Sequence, residues 1–197
     1  MTSLPPINTL SHLPDSELST VLDLLFEPSP PLHSLSLPIL RSTTFPSYST
    51  LIFAVNTQLT ALAASDSPDD VAKLSEILSS HPRLGEKKVD SEQSRAEQAQ
   101  LQQGGEEEKE KLAKLNKDYE EKFPGLRYVV FVNGRPRPAI MENMEARIGR
   151  GDLKAERQEA IQAMCDIAND RAAKLSPPTN KDHEESVLQS VKSLVEK

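Results

Sequence analysis

Two short stretches, His81-Pro82-Arg83-Leu84-Gly85 and Ser94-Arg95-Ala96-Glu97-Gln98, hold the side chains best suited to moving a proton. Histidine is the one side chain whose ordinary pKa, about 6.5, lies near neutrality. A carboxylate such as Glu97 could orient that imidazole and stabilise its charged form. If 91–103 is helical, Ser94, Glu97 and Gln98 lie at i, i+3 and i+4 and project from one face together with Leu101. That face is either solvated or tucked into a groove by the leucine.

A third chemical group comes from periodicity alone. Ala160, Met164, Ile167, Arg171 and Leu175 follow 4-3-4-4 spacing, so Arg171 takes an inward-facing position on a long helix. A guanidinium keeps its proton, and burying one requires an anion. Either a structural carboxylate supplies it, or Arg171 is a bidentate clamp for a carboxylate or urea-like group of a ligand. His12 and His33 lie in Pro/Ser-rich surroundings and His183 near the end of the chain. No histidine pair has metal-ligand spacing, no glycine-rich phosphate loop follows a strand, and no serine nucleophile elbow occurs. Arg150-Gly151-Asp152 reads as a helix break and cap.

The elements that position these groups are helical. A start at Leu13-Pro14-Asp15 is followed by Leu18, Val21, Leu22 and Leu25 at helical spacing, and Pro28, Pro30 and Pro31 end it, leaving a loop to about Pro46. A second helix spans 47–64 with Leu51, Ile52, Val55, Leu59 and Leu62 as its stripe. A third follows Pro68, carries Val71, Leu74, Ile77 and Leu78, and runs into His81-Pro82. At such a C-terminus the macrodipole favours protonated histidine. A charged helix from Glu106 carries Leu112, Leu115, Tyr119 and Phe123. Residues 127–133, with Tyr128-Val129-Val130-Phe131-Val132 before Asn133-Gly134, form the best strand candidate. A lone strand has no sheet to join, so it reads as a buried extended segment. Helices over 139–148 and from Asp152 to about Leu175 complete the bundle.

The fold class expected is therefore all-α, a single-domain bundle over residues 1–175. Residues 176–197 form a linker, Ser176-Pro177-Pro178-Thr179, and an amphipathic helix through Val187, Leu188, Val191 and Val195. At 197 residues a second full domain does not fit. With 4% aromatic residues and no tryptophan, the core must be aliphatic, which suits helices. A net charge of −7 opposes a nucleic-acid surface. Cys165 is the sole cysteine, so neither an internal disulfide nor a cysteine-cluster metal site is possible. No apolar run approaches the roughly 20 residues of a membrane span. The cytoplasm is the default location; a peroxisomal one lacks support from the C-terminus, Leu194-Val195-Glu196-Lys197.

Read in order, these residues resemble the 2-oxo-4-hydroxy-4-carboxy-5-ureidoimidazoline (OHCU) decarboxylase family of urate degradation. Leu13-Pro14 and Leu25-Phe26-Glu27 with Ser29-Pro30 are similar to its opening segment, and His81-Pro82-x-Leu84 to its His-Pro-x-Leu motif. Ser94-x-x-Glu97-Gln98 matches its Ser-x-x-Glu-Gln motif. Leu115-Asn116-x-x-Tyr119-x-x-Lys122-Phe123 before Tyr128–Val132 resembles the next block, and Ile167-x-x-x-Arg171 the closing helix. The family's tryptophan after Ser-Pro is replaced here by Pro31-Leu32, its Arg-Pro-Phe by Thr43-Thr44-Phe45, and the Ala-Gly after Glu-Gln by Ala99-Gln100.

The resemblance implies an all-helical, cofactor-free homodimeric enzyme that decarboxylates OHCU to (S)-allantoin and CO2, with no nucleic-acid or membrane partner. It implies His81 and Glu97 as the catalytic pair. It implies substrate contacts from Pro82, Ser94, Arg95, Ala96, Gln98, the backbone of Tyr128, Val129, Val130, Phe131 and Val132, and Arg171. The rival reading is a non-enzymatic helical interaction module, which explains the acidic helices and amphipathic tail but leaves His81, Glu97 and Arg171 as coincidence. A hydrolase or isomerase acting on another ureide is a third.

Overall fold

In the computed structural model, residues 3–85, 93–95 and 105–176 are described. Among them the chain is all-α and single-domain. A short 3-10 turn, Ile7–His12, leads into seven helices: α1 Asp15–Phe26, α2 Pro30–Ser42, α3 Tyr48–Ala64, α4 Pro68–Leu78, α5 Glu106–Lys122, α6 Arg137–Arg150 and α7 Leu153–Leu175. Residues 93–95 are also helical. The amphipathic segment expected beyond Ser176 and most of the Ser-x-x-Glu-Gln helix lie outside the described residues.

α7 is the central element and packs against α1, α3 and α4, while α5 packs on α6. Its one face of small and aliphatic residues, Ala160, Met164, Ile167 and Ala168, explains this: small side chains let helix axes come close along their length. Asp152 starts it, its carboxylate accepting from the amides of Lys154 and Ala155 at 2.9 and 3.0 Å. Gly151 just before it adopts the left-handed conformation, φ 65°, that closes α6. The periodicities read for α1, α3, α4, α5 and α7 all bury the residues they named, apart from half-buried Val71 and Leu175.

One segment departs from the sequence reading. Residues 30–42, expected as a Pro/Ser loop, form α2. Pro30 and Pro31 take the first two helical positions, where an amide hydrogen has no helical partner and a fixed φ helps. Leu32, Ser36 and Leu40 bury one face, and Pro38 stands on the exposed side. Ser36 donates to Gln58 of α3 at 3.0 Å, and the Gln58 amide donates to the Leu35 carbonyl at 3.0 Å. Tertiary packing thus outweighs the helix-breaking tendency of Pro38, the one proline inside the helix.

The extended reading of 127–133 agrees with the backbone, which is neither helix nor strand there. Tyr128, Val129 and Val132 are buried, and Val130 and Phe131 half-buried. Asn133 and Gly134 both have positive φ, 41° and 73°, and the Arg135 amide closes the turn onto the Val132 carbonyl at 2.9 Å.

Candidate active site

Three chain ends and turns converge behind α7. The α4 helix stops at Leu78, and a short turn delivers His81, which is 4% exposed. α1 stops at Phe26 and delivers Glu27, 3% exposed. α7 contributes Arg171 at 2%, and the helical residues 93–95 contribute buried Ser94. Arg171 Nη2 donates to Glu27 Oε1 at 2.7 Å and to Ser94 Oγ at 2.9 Å, while Ser94 Oγ donates to the same Glu27 oxygen at 2.6 Å. Arg171 Nη1 lies 3.5 Å from the Leu25 carbonyl. Glu27 is thus one anion for the inward guanidinium among the described residues.

Glu27 carries backbone strain. Its φ of 81° and ψ of 153° fall in a region that is essentially restricted to glycine and costs about 1–3 kcal/mol. Burial opposes its ionisation, but the Arg171 charge and the Ser94 hydroxyl outweigh burial and hold its carboxyl below the usual carboxylate range.

His81 departs from the sequence reading in charge. The macrodipole argument favoured imidazolium, whereas burial, together with the Arg171 charge, pushes its pKa down to about 4 against the opposing pull of Glu27. A whole-residue desolvation outweighs a terminal dipole that acts only over the last turn. At neutral pH the ring is therefore neutral, and among the described residues its Nε2 has no hydrogen-bond partner.

This buried ring makes folding pH-dependent. Below the ordinary value of about 6.5 the unfolded chain binds a proton that the folded chain refuses, so stability falls as pH drops from about 6.5 towards 4, by about 3 kcal/mol in all. Glu27 adds its own loss only below its ordinary range, as acid protonates the paired carboxylate. Urea unfolding at pH 7, 5.5 and 4 should show this slope in the wild type and a shallower one in His81→Asn. Equal slopes in the two proteins would remove His81 as its cause.

The backbone around His81 is tied down from two sides. Arg127 Nη1 donates to the His81 carbonyl at 3.3 Å, linking it to the extended segment. Asn116 of α5 donates to the Leu84 carbonyl at 3.0 Å. Gly85 has φ 78°, a backbone conformation that favours glycine, and a Cβ there would displace Leu112 Cδ2, 2.7 Å away.

A second buried network holds the extended segment. Arg147 Nη1 donates to the Val129 carbonyl at 3.0 Å, and its Nε reaches both oxygens of Glu156 at 2.9 and 3.1 Å. Tyr119 donates its hydroxyl to Glu156, and Arg150 Nη2 reaches the same carboxylate at 3.2 Å. The Arg147 guanidinium stacks 4.7 Å over the Tyr128 ring, whose hydroxyl donates to Asn143 at 2.5 Å. The carbonyls of Phe131 and Val132 accept from Arg135. Burial pushes the Tyr128 phenol up to about 12, so it remains a donor.

Among the residues singled out from sequence, His81, Ser94 and Arg171 share one buried cluster, and Pro82 is half-buried beside them. Arg95 is exposed. Ala96, Glu97 and Gln98 lie outside the described residues. A family model described as OHCU decarboxylase matches residues 11–173.

The chain belongs to the OHCU decarboxylase family.

The OHCU decarboxylase match runs from before α1 to residue 173, within the last turn of α7. Among solved structures, the chain is similar to one titled "Crystal structure of (S)-allantoin synthase", with a TM-score of 0.58 and 16% identity over 87% of this chain. At that identity the likeness is one of fold, and the chain spans about half, 54%, of that protein's length. No curated relative matches the chain by sequence. Within this family frame, sequence reasoning left Glu27 without a role, although it stands in the family-like opening segment. It missed Arg147 and Glu156 altogether. An acidic residue directly after an apolar helix run was the available signal for Glu27; nothing local marked the other two.

Proposed function

We propose that this protein decarboxylates OHCU stereoselectively, giving (S)-allantoin and CO2 without a cofactor. The observation that carries the reading is a buried imidazole whose Nε2 has no hydrogen-bond partner among the described residues, beside a guanidinium–carboxylate–hydroxyl cluster. Such a ring accepts a proton in a site shielded from water, which is the state a general base needs.

The substrate supplies its own electron sink. When the C–CO2 bond breaks, its electron pair forms a C=C bond with the adjacent ring carbon, and the former C=N nitrogen takes up one proton from solvent. The resulting enol then loses its hydroxyl proton and gains one at the ureido-bearing carbon, restoring a carbonyl. The reaction is redox-neutral and consumes one proton overall. His81, neutral at rest, receives the hydroxyl proton through Nε2 and returns a proton to one face of the planar enol. Glu97 orients His81 or holds the hydroxyl. Arg171 and Gln98 bind the carboxylate or ureido group, and backbone groups of 128–132 bind the ring amide edge. A homodimer is proposed as the working form.

The test is to add the protein to freshly oxidised urate and follow ultraviolet decay together with circular dichroism. Enantiopure (S)-allantoin formed faster than the spontaneous reaction supports the reading. Racemic allantoin at the spontaneous rate overturns it in favour of a non-enzymatic helical module, and a different product overturns it in favour of another ureide enzyme.

A further inference from the structure

The start of α6 carries a charge of the wrong sign. Arg137 holds its first position, where the helix macrodipole presents its positive end and favours an anion. Neither a capping side chain nor an acidic residue in the first turn offsets that charge. The arginine is also buried, at 7% exposure, and its Nε has no hydrogen-bond partner among the described residues. Its Nη1 makes a long contact, 3.5 Å, to Glu108 Oε2, on a side chain that is 45% exposed. A buried guanidinium at a positive helix end costs free energy unless an anion meets it. Among the described residues Glu108 does so at one edge, and the Nε edge of the fork is left open.

Arg137 lines a cavity of about 420 Å³ between α5 and the Arg83-Leu84-Gly85 turn, a volume within the range of small-molecule sites. Leu84, Leu112 and Ala113 give it apolar surface, and Asn116 lies among them with its side-chain amide on the Leu84 carbonyl at 3.0 Å. Glu120, a carboxylate in the same lining, is bound by Arg83 through both oxygens. Glu27, His81, Ser94 and Arg171 do not line this cavity, which separates it from the candidate active site. A planar guanidinium edge matches a carboxylate in geometry and charge. The leucines favour a hydrocarbon body behind that group, which inorganic phosphate lacks.

We propose that this cavity binds a small organic carboxylate, with its anionic group on Arg137 and its apolar body against Leu84 and Leu112. Arg83, Leu84 and Gly85 follow His81-Pro82 directly, so an occupant packs against the turn that carries the imidazole.

Benzoate is the probe, with neutral benzamide and inorganic phosphate as comparisons. In the wild type, benzoate should raise the melting temperature by about 3–6 °C at ten times its dissociation constant. It should also shift the Arg137 Nε–H resonance in NMR. Benzamide lacks the charge and should bind about 10-fold more weakly or worse. Arg137→Met should lose the benzoate response. Because that change disturbs a buried group, Ala113→Glu serves as a second variant: the position is exposed on the cavity wall, and the added carboxylate competes with the incoming one. It too should lose the response. A wild type whose melting temperature and Arg137 resonance ignore benzoate overturns the proposal. So does benzamide or phosphate binding as tightly as benzoate, or a benzoate response that persists in Ala113→Glu. These readouts need no turnover, so they stand whichever way the OHCU assay falls.

Discussion

His81→Ala should lower kcat for decarboxylation by about 10²- to 10⁴-fold, the range by which positioned general acid–base groups accelerate reactions. The ring is placed by the turn after α4, is held through its carbonyl by Arg127, and keeps Nε2 without a partner among the described residues. Because its pKa is depressed to about 4, the acid limb of the kcat/KM profile should fall near that value instead of near 6.5. Removing the ring should also abolish face selectivity, so that the residual product is racemic. Stopped-flow ultraviolet decay with a circular dichroism endpoint reads both effects. A His81→Ala protein that keeps rate and (S) selectivity would remove the imidazole from the mechanism.

The second large effect is on stability. Glu156→Ala should destabilise the fold by about 3 kcal/mol, because it removes the buried carboxylate of Arg147 and leaves that guanidinium only the exposed Glu159 carboxylate at 3.3 Å. Tyr119 loses its acceptor at the same time. Urea unfolding measures the loss directly. The double variant Arg147→Met/Glu156→Leu removes both charges and should recover most of that stability, since well-packed apolar replacements of buried ion pairs are often neutral or better. Activity should not recover with it: without Arg147 the Val129 carbonyl loses its anchor and the extended segment its fixed position. A double variant that regains both stability and activity would show that the network is structural only.

Much of the architecture was legible without coordinates because helical periodicity is a local property. Leu18, Val21, Leu22 and Leu25 announce the buried face of α1, and the same 3.6-residue repeat carries Arg171 inward on α7. Asn133-Gly134 marks its turn for an equally local reason, since both residues tolerate positive φ. α2 was misread where local rules conflict: proline opens a helix as readily as it ends one, and which role Pro30 and Pro31 take depends on whether Leu32 and Leu40 find a surface to cover.

The site divides along the same line. The types and order of His81, Ser94, Glu97, Gln98 and Arg171 are written in the chain, and with them the family and the class of chemistry. Tertiary structure decided what those groups are worth. It brought Glu27 to Arg171 from across the chain, and it joined Arg147 to Glu156 beneath the extended segment. It also set His81 neutral where its helix end favoured the cation. Charge state and ion pairing depend on how much water is removed and on which charges arrive from distant elements. Both are sums over neighbours in space, and no local pattern of residues contains them.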